Sequence, residues 1–183
     1  MVDGIWDGVT GIRVSETSKA RPRLMEFCRG TGVDIGFGGD PIAPWAITMD
    51  QEKPYTQVGK HPQQIFSDCR SLPFKDNTLD FIYSSHLLED FWWDEVKAIV
   101  KEWTKALKPN GRLVTYCPDQ KTYLDHCHRT GQGINLAHKE GNFGLSTFKE
   151  RGLSAIRFEI LHEFNEPDEG SGYSFGLAVR VIK

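Results

Sequence analysis

A chain of 183 residues with 39% hydrophobic and 11% aromatic content can bury a core of ordinary size, which excludes a disordered or low-complexity protein. Its 22 basic and 25 acidic residues leave a net charge of −3, without the basic excess of a non-specific nucleic-acid binder. The four cysteines (Cys28, Cys69, Cys117 and Cys127) form no CxxC pair and no small disulfide framework, so they read as reduced thiols of a cytoplasmic protein. The first fourteen residues, MVDGIWDGVTGIRV, have no basic region before an apolar run, so no signal peptide is expected. No apolar run approaches the ~20 residues of a membrane span.

Residues 1–16 carry little periodicity. Pro22 suits the start of a short helix that shows Leu24, Phe27 and Cys28 on one face and stops at Gly30. Gly32 to Ile35 reads as a short buried strand. Ala46 to Met49 reads as a second, ending at Asp50, and Gln63 to Phe66 as a third, ending at Asp68. Leu79 to Tyr83 is a fourth, followed by Ser84, Ser85 and His86. The clearest helix spans Phe91 to Leu107: Trp92, Trp93, Val96, Ile99, Val100, Trp103, Ala106 and Leu107 recur at spacings of three and four. The Phe91–Trp93 triplet is accordingly read as core rather than as an acceptor platform. Lys108 to Gly111 ends the helix, and Arg112 to Cys117 makes a fifth strand.

A polar, histidine-containing stretch follows from Pro118 to Leu145. Thr147 and Glu150 fit a capping box for a short helix that Gly152 ends. Ile156 to Leu161 and Phe175 to Ile182 are the last strands. Only an acidic loop, NEPDEGSG, joins them, so they are expected to pair antiparallel, with Glu163 to Glu169 as a solvated tip. Alternating short strands and helices predict a single α/β domain with a largely parallel sheet and one reversed strand.

The stretch VDIGFGGD, Val33 to Asp40, places an acid and three glycines at a strand end, where α/β sheets bind ligands. Gly36, Gly38 and Gly39 do not fit the GxGxxG dinucleotide fingerprint, because the third glycine comes too early. Asp40 to Trp45 is also too short for a full crossover helix. Asp34, two residues before Gly36, completes an acid-x-Gly-x-Gly turn. This turn resembles motif I of the class I S-adenosylmethionine-dependent methyltransferases, of the type 11-like kind. LPFKDNTLDFIYSSHLLEDF is similar to that family's fourth-strand region, and LKPNGRLVTYCPD to its following turn and fifth strand. The resemblance spans about Gly30 to Pro118, and the final hairpin agrees with it. Two departures stand out: Asp40 lies near the place of the usual third glycine, and Asp90 stands where a histidine is frequent.

The resemblance implies a Rossmann-like doubly wound sheet of seven strands, the last antiparallel, and S-adenosyl-L-methionine as cofactor. It implies that Gly36, Phe37, Gly38 and Gly39 pack against the cofactor through their backbone. Asp34 would hold the loop or the cofactor's ammonium end. Asp50, with Gln51 beside it, would accept from the ribose hydroxyls, and Asp68 and Cys69 would contact adenine. Ser84, Ser85 and His86 would flank the methionine end. A carboxylate suits a diol because charge-assisted hydrogen bonds are worth roughly 1.5–3 kcal/mol each. The plainer roles are a solvated strand-end aspartate for Asp50 and a turn former for Asp68.

Methyl transfer to oxygen or nitrogen can require a general base. The candidates are His86, Asp90, Asp119, His126, His128, His138 and His162, with His86 and His138 foremost. His162 shares the alternation face of Ile156, Phe158 and Ile160 and reads as a packed histidine. His126, Cys127 and His128 match no zinc signature, and no metal is expected. The N-terminal segment (1–29) and residues 118–145 are expected to shape the acceptor side. The expected function is methyl transfer to a small-molecule or glycan hydroxyl or amine. A non-catalytic cofactor binder and a nicotinamide-dependent oxidoreductase are the rival readings. YSSH stands where base-modifying enzymes carry an NPPY-type motif, so a nucleic-acid acceptor is not expected, nor is a membrane association.

Overall fold

A computed structural model describes residues 15–54 and 58–183. The N-terminal stretch read above for a leader lies outside the described residues. Seven strands form one sheet: β1 (Gly32–Ile35), β2 (Ile47–Asp50), β3 (Ile65–Phe66), β4 (Leu79–Ser85), β5 (Leu107–Pro118), β6 (Arg157–Asn165) and β7 (Ser174–Ile182). Their order is β3-β2-β1-β4-β5-β7-β6. The β1, β2, β3, β4 and β5 pairings are all parallel, whereas β7 runs antiparallel to both β5 and β6. The expected mostly parallel sheet with its last strand reversed is therefore present. The strand order reverses direction between β1 and β4, which sets the ligand crevice at their carboxyl ends.

Each face of the sheet is covered. On one, α2 (Trp93–Ala106) lays Val96, Ile99, Val100 and Trp103 onto Val33, Ile82, Leu113 and Val179. On the other, Ala20 and Leu24 of α1 (Glu16–Leu24) join Ile42, Ala43 and Ala46 over Phe81, Tyr83, Val114 and Ala178. Each such aliphatic side chain contributes roughly 1.5–3 kcal/mol when fully buried. Ile42 to Ala46 thus fills the place a crossover helix would occupy behind β1.

Several expectations need correction. The first helix begins at Glu16, not near Pro22, because Ser15 caps it: its Oγ accepts from Ser18 N at 2.9 Å. Pro22 lies in the last turn, and a 3-10 turn over Met25–Phe27 begins three residues later. Trp92 is the exposed residue preceding α2, while Trp93 is buried and stacks on Phe143 at 4.9 Å. The apolar face therefore starts one residue later than the triplet suggests. Lys108 to Gly111 does not lie between helix and strand. It forms an irregular excursion inside β5, whose pairing with β4 passes from Leu107 to Arg112.

The polar stretch holds a third helix, α3 (Gln120–Thr130), bounded by the Asp119 cap and by Gly131 in the left-handed region at φ 73°. Its buried stripe is narrow (Gln120, Tyr123 and Cys127), which is why hydrophobic periodicity does not reveal it. Thr147 directly precedes the turn that Gly152 ends, but it makes no capping hydrogen bond there. It ends the short α4 (Leu145–Thr147), and its Oγ1 donates back to Asn142 O at 2.6 Å, while a π turn over Phe148–Gly152 follows. A register shift between Ile160 and His162 turns His162 to the opposite face from Ile160, where it stacks on Phe27 at 5.5 Å. The acidic hairpin tip carries α5 (Glu166–Glu169) and is anchored rather than merely solvated. Glu166 accepts from Tyr116 OH at 2.6 Å, and Glu169 pairs with Arg23 at 2.7 Å.

The loop after β1 is closed by backbone contacts. Val58 N donates to Gly38 O at 2.7 Å and His61 N to Gly39 O at 3.1 Å. A Cβ on Gly39, whose φ is 88°, would stand 2.5 Å from the Gly59 carbonyl oxygen. Gly39→Ala is therefore expected to destabilise the fold by about 1–3 kcal/mol, read as a lower urea midpoint with an unchanged slope.

Candidate active site

A cavity of about 850 Å³ opens at the carboxyl ends of β1, β2 and β4. Of the residues singled out from sequence, Gly36, Phe37, Gly38, Asp50, Gln51, Asp68, Cys69, Ser85, His86 and His138 line it, whereas Asp34, Gly39 and Ser84 lie outside the lining. Gly36 (φ 70°) hands the strand over to the loop by donating from its N to Met49 O at 2.8 Å. A Cβ there would stand 3.2 Å from Leu87, beside it in the cavity wall.

The acids around the loop divide by position. Asp34 is fully buried; its Oδ2 accepts from Ile42 N at 2.6 Å, and burial raises its carboxyl well above the usual range. It secures the segment that returns the chain to β2. Asp40, where the third glycine is usual, pairs with Arg21 at 2.6 Å and accepts from the Ser15 hydroxyl. It ties the loop to α1. Asp50 reaches the cavity at the tip of β2, with Oδ1 accepting from Gln51 N at 2.8 Å and Oδ2 facing Gly38 N at 3.4 Å. Burial raises its pKa, against those two donors. Asp68 is held by Arg70 in a 2.6 Å ion pair, which lowers its carboxyl pKa. Burial pushes the neighbouring Cys69 thiol up to about 12, so that thiol is unreactive.

The opposite end of the cavity gathers residues distant in sequence. His86, in the left-handed region at φ 48°, follows β4. Its Nε2 lies 3.2 Å from Ser174 Oγ and 3.4 Å from Glu16 Oε2, and its Nδ1 3.6 Å from Glu89 Oε1. His138 stands on the loop after α3. Its Nδ1 is 2.7 Å from Gln120 Oε1, a contact that the Nδ1-protonated tautomer satisfies, and in that tautomer the Nε2 lone pair is free, 3.9 Å from Glu89 Oε1. Lys139 N donates to Glu89 O at 2.9 Å and so locks that loop to the segment after β4. Burial lowers the pKa of both histidines, that of His138 to about 4 with His86 adding to the effect. Burial and the Asp90 carboxyl raise that of Glu89 well above its usual value. Tyr123 packs against His138 at 4.8 Å, and Tyr173 OH donates to Glu16 Oε1 at 3.2 Å.

Glu16, Glu89, Gln120, Tyr123 and Tyr173 escape sequence reasoning. Ser15 as a cap would have brought α1, and with it Glu16, to the site, and Asp119 with Gly131 would have revealed α3. Tyr173 carries no sequence signal. Of the other base candidates, Asp90 lines the cavity and Asp119 caps α3. His126 packs on Tyr173 at 4.9 Å, and His128 is exposed. Among the described residues no helix is long and apolar enough to cross a membrane.

A family model described as a methyltransferase domain matches residues 21–115, just over half of the chain. The chain belongs to the class I S-adenosylmethionine-dependent methyltransferases. The uncharacterized protein MJ1123 of Methanocaldococcus jannaschii is 23% identical over 84% of this methyltransferase and 81% of its own length. The biotin biosynthesis bifunctional protein BioHC of Cellvibrio japonicus is 25% identical over 71% of this chain but only 26% of its own. In fold, the chain is similar to the PH0226 protein of Pyrococcus horikoshii. The TM-score is 0.67 at 17% identity, over 88% of this chain and 87% of that one. An S-adenosylmethionine-dependent methyltransferase from Mesorhizobium loti gives a TM-score of 0.60 at 14% identity, over 91% and 98%. The methyltransferase uses S-adenosyl-L-methionine as cofactor. The residues present fit such a group: a glycine backbone at Gly36, in the left-handed region at φ 70° that side chains rarely adopt, and a carboxylate, Asp50, both at the cavity wall.

Replacing Asp50 with Ala is expected to weaken S-adenosylhomocysteine binding about tenfold or more, a loss of at least about 1.4 kcal/mol by calorimetry. His138 generates a second expectation. In the unfolded chain it takes up a proton below about pH 6.5, but in the native state only near pH 4. Its contribution to stability is therefore complete above pH 6.5 and lost as the pH falls towards 4. The stability difference between the wild type and His138→Gln should shrink over that interval in urea titrations. Buried Asp34 and Glu89, whose shifts act in the opposite sense, are common to both proteins.

Proposed function

We propose that this methyltransferase acts on a hydroxyl or amine of a small molecule or an exposed glycan residue. One observation carries the reading. A single cavity joins the glycine loop and Asp50 to a buried end built from His86, Glu89 and His138. Under this reading the backbone of Gly36 to Gly38 lies along the cofactor, and Asp50 receives its ribose hydroxyls. The Asp68–Cys69 segment borders adenine, Asp68 remaining paired with Arg70, and Ser85 and His86 flank the methionine end. S-adenosylmethionine supplies a methyl group on a positively charged sulfur, which takes back the bonding electrons as a neutral thioether when the acceptor attacks.

The chain's own residues align the acceptor, exclude water and receive a proton. Glu16 at the start of α1 and Gln132, Ile134, Asn135, Leu136 and His138 form the walls of the acceptor end. Gln120 fixes the His138 ring, burial keeps it neutral, and Glu89 stands 3.9 Å from its free Nε2. The His138–Glu89 pair is where an acceptor's proton goes: neither group alone is a strong base at neutral pH, and each supplies the other's countercharge.

Transfer of a radiolabelled methyl group from S-adenosylmethionine to a panel of small alcohols, amines and oligosaccharides tests the reading. On the acceptor that is turned over, His138→Gln should lower kcat by about 10²- to 10⁴-fold. It should leave S-adenosylhomocysteine affinity by calorimetry unchanged. Cofactor binding with no transfer to any acceptor class would leave a binding protein of the same fold.

A further inference from the structure

The cavity walls carry a charge pattern that methyl transfer alone does not demand. Glu16, Asp50, Glu52, Asp68, Glu89 and Asp90 all line it. Among the described lining residues the one permanent cation is Arg70, which Asp68 already holds at 2.6 Å. Lys19 reaches Glu16 at 2.8 Å but is not part of the lining. A carboxylate or phosphate acceptor would therefore meet like charge with no free cation to receive it.

Two of these acids mark the acceptor end. Glu16 accepts from Lys19 and Tyr173 through Oε1, while its buried Oε2 has no hydrogen-bond partner and lies 3.4 Å from His86 Nε2. Glu89 is 1% exposed and also lines the cavity; its buried Oε2 likewise has no hydrogen-bond partner. The other titratable groups around Glu89 are the Asp90 and Glu16 carboxyls and the Cys117 thiol, which hydrogen-bonds to the Glu89 carboxyl, besides the two histidines. Tyr123 and Tyr173 stand 5.5 Å apart and add aromatic faces to the same end. Orphaned carboxyl oxygens beside aromatic rings call for a ligand rich in donors and positive charge.

We propose that the methyl acceptor is a small primary or secondary amine, held as its ammonium ion by the Glu16 and Glu89 carboxyls that flank His86. This rests on the methyl-transfer reading above and narrows it. An ammonium brings two or three N–H donors and a charge, where a hydroxyl brings one donor and none. Before reaction one N–H bond breaks. Its electron pair stays on nitrogen, making it nucleophilic, and the proton passes to Glu89 Oε2. That transfer turns a buried ion pair into two neutral partners, as a low-dielectric site favours. The raised pKa of Glu89 agrees with its role as receiver.

Titration calorimetry on the full chain saturated with S-adenosylhomocysteine tests this with matched pairs: propylamine and propanol, cyclohexylamine and cyclohexanol, phenethylamine and 2-phenylethanol. At least one amine should bind about tenfold or more tightly than its alcohol. Glu89→Gln and Glu16→Gln, on different elements and of unchanged size, should each remove most of that preference without altering S-adenosylhomocysteine affinity. Absence of an amine preference in every pair overturns the proposal, and so does a preference that survives both substitutions. Failure of S-adenosylhomocysteine itself to bind would instead overturn the methyl-transfer reading beneath it.

Discussion

The backbone of Gly39 lies directly against that of Gly59, and the geometry of the site follows from that contact. A full crossover helix behind β1 would brace the cofactor loop from the rear. Here the chain from Asp40 to Trp45 has no room for one, so the loop is gripped from the side, by hydrogen bonds from Val58 and His61 to Gly38 and Gly39. Backbones can approach this closely only where neither residue carries a Cβ. Gly39 thus serves the clasp rather than the cavity wall, while Gly36 and Gly38 face the cavity.

The same constraint explains the two aspartates of the motif. A chain that returns to β2 without a helix exposes backbone donors that need partners, and Ile42 N finds one in the buried Asp34 carboxyl. Asp40, the apparent anomaly of the sequence, is not part of the cavity lining and is engaged by Arg21 and Ser15. Its ion pair is half-buried and short, and it fixes α1 at the height where Glu16 meets His86. The unusual residue in the loop therefore bears on the acceptor end of the site, through the position of α1.

What was legible in the sequence follows periodicity and spacing. Strands β1, β2, β4, β5 and β7 and helix α2 were readable because each buries an apolar face, whereas β3 shrinks to Ile65–Phe66, with Phe66 exposed. The glycine-loop end of the cavity was readable because residues such as Gly36, Asp50 and Asp68 follow strand ends in a fixed order, although Asp34, Gly39 and Ser84 fall outside its lining. The acceptor side was not. It is built from a helix whose start is set by one serine, from α3 with three buried residues in a polar background, and from a tyrosine at the start of β7. Such residues meet only in three dimensions, and none of them has a local pattern. Glu89 is the instructive case: it sits in the motif-like run LLED, yet the departure at Asp90 draws the eye to its neighbour. The phase change that reorients His162 was equally invisible, since a single extra residue in β6 leaves the alternation looking regular from either end.

Burial, more than any single partner, sets the chemistry at the acceptor end. It pushes His86 and His138 toward their neutral forms and Glu89 toward its protonated one, so this cluster carries little net charge of its own. Glu16 is the exception. Desolvation works against its charge, but His86, Lys19 and the Tyr173 hydroxyl together keep its pKa below the usual value. One ionised carboxylate beside three groups held neutral is an asymmetric field, and it directs a cation toward α1. A charge arriving there changes the balance for its neighbours: it favours ionised Glu89 and disfavours protonated histidine, which preserves the lone pair on His138 Nε2. Under the amine proposal, the acceptor alters the protonation of the groups that act on it, and the site reaches its working state only when occupied.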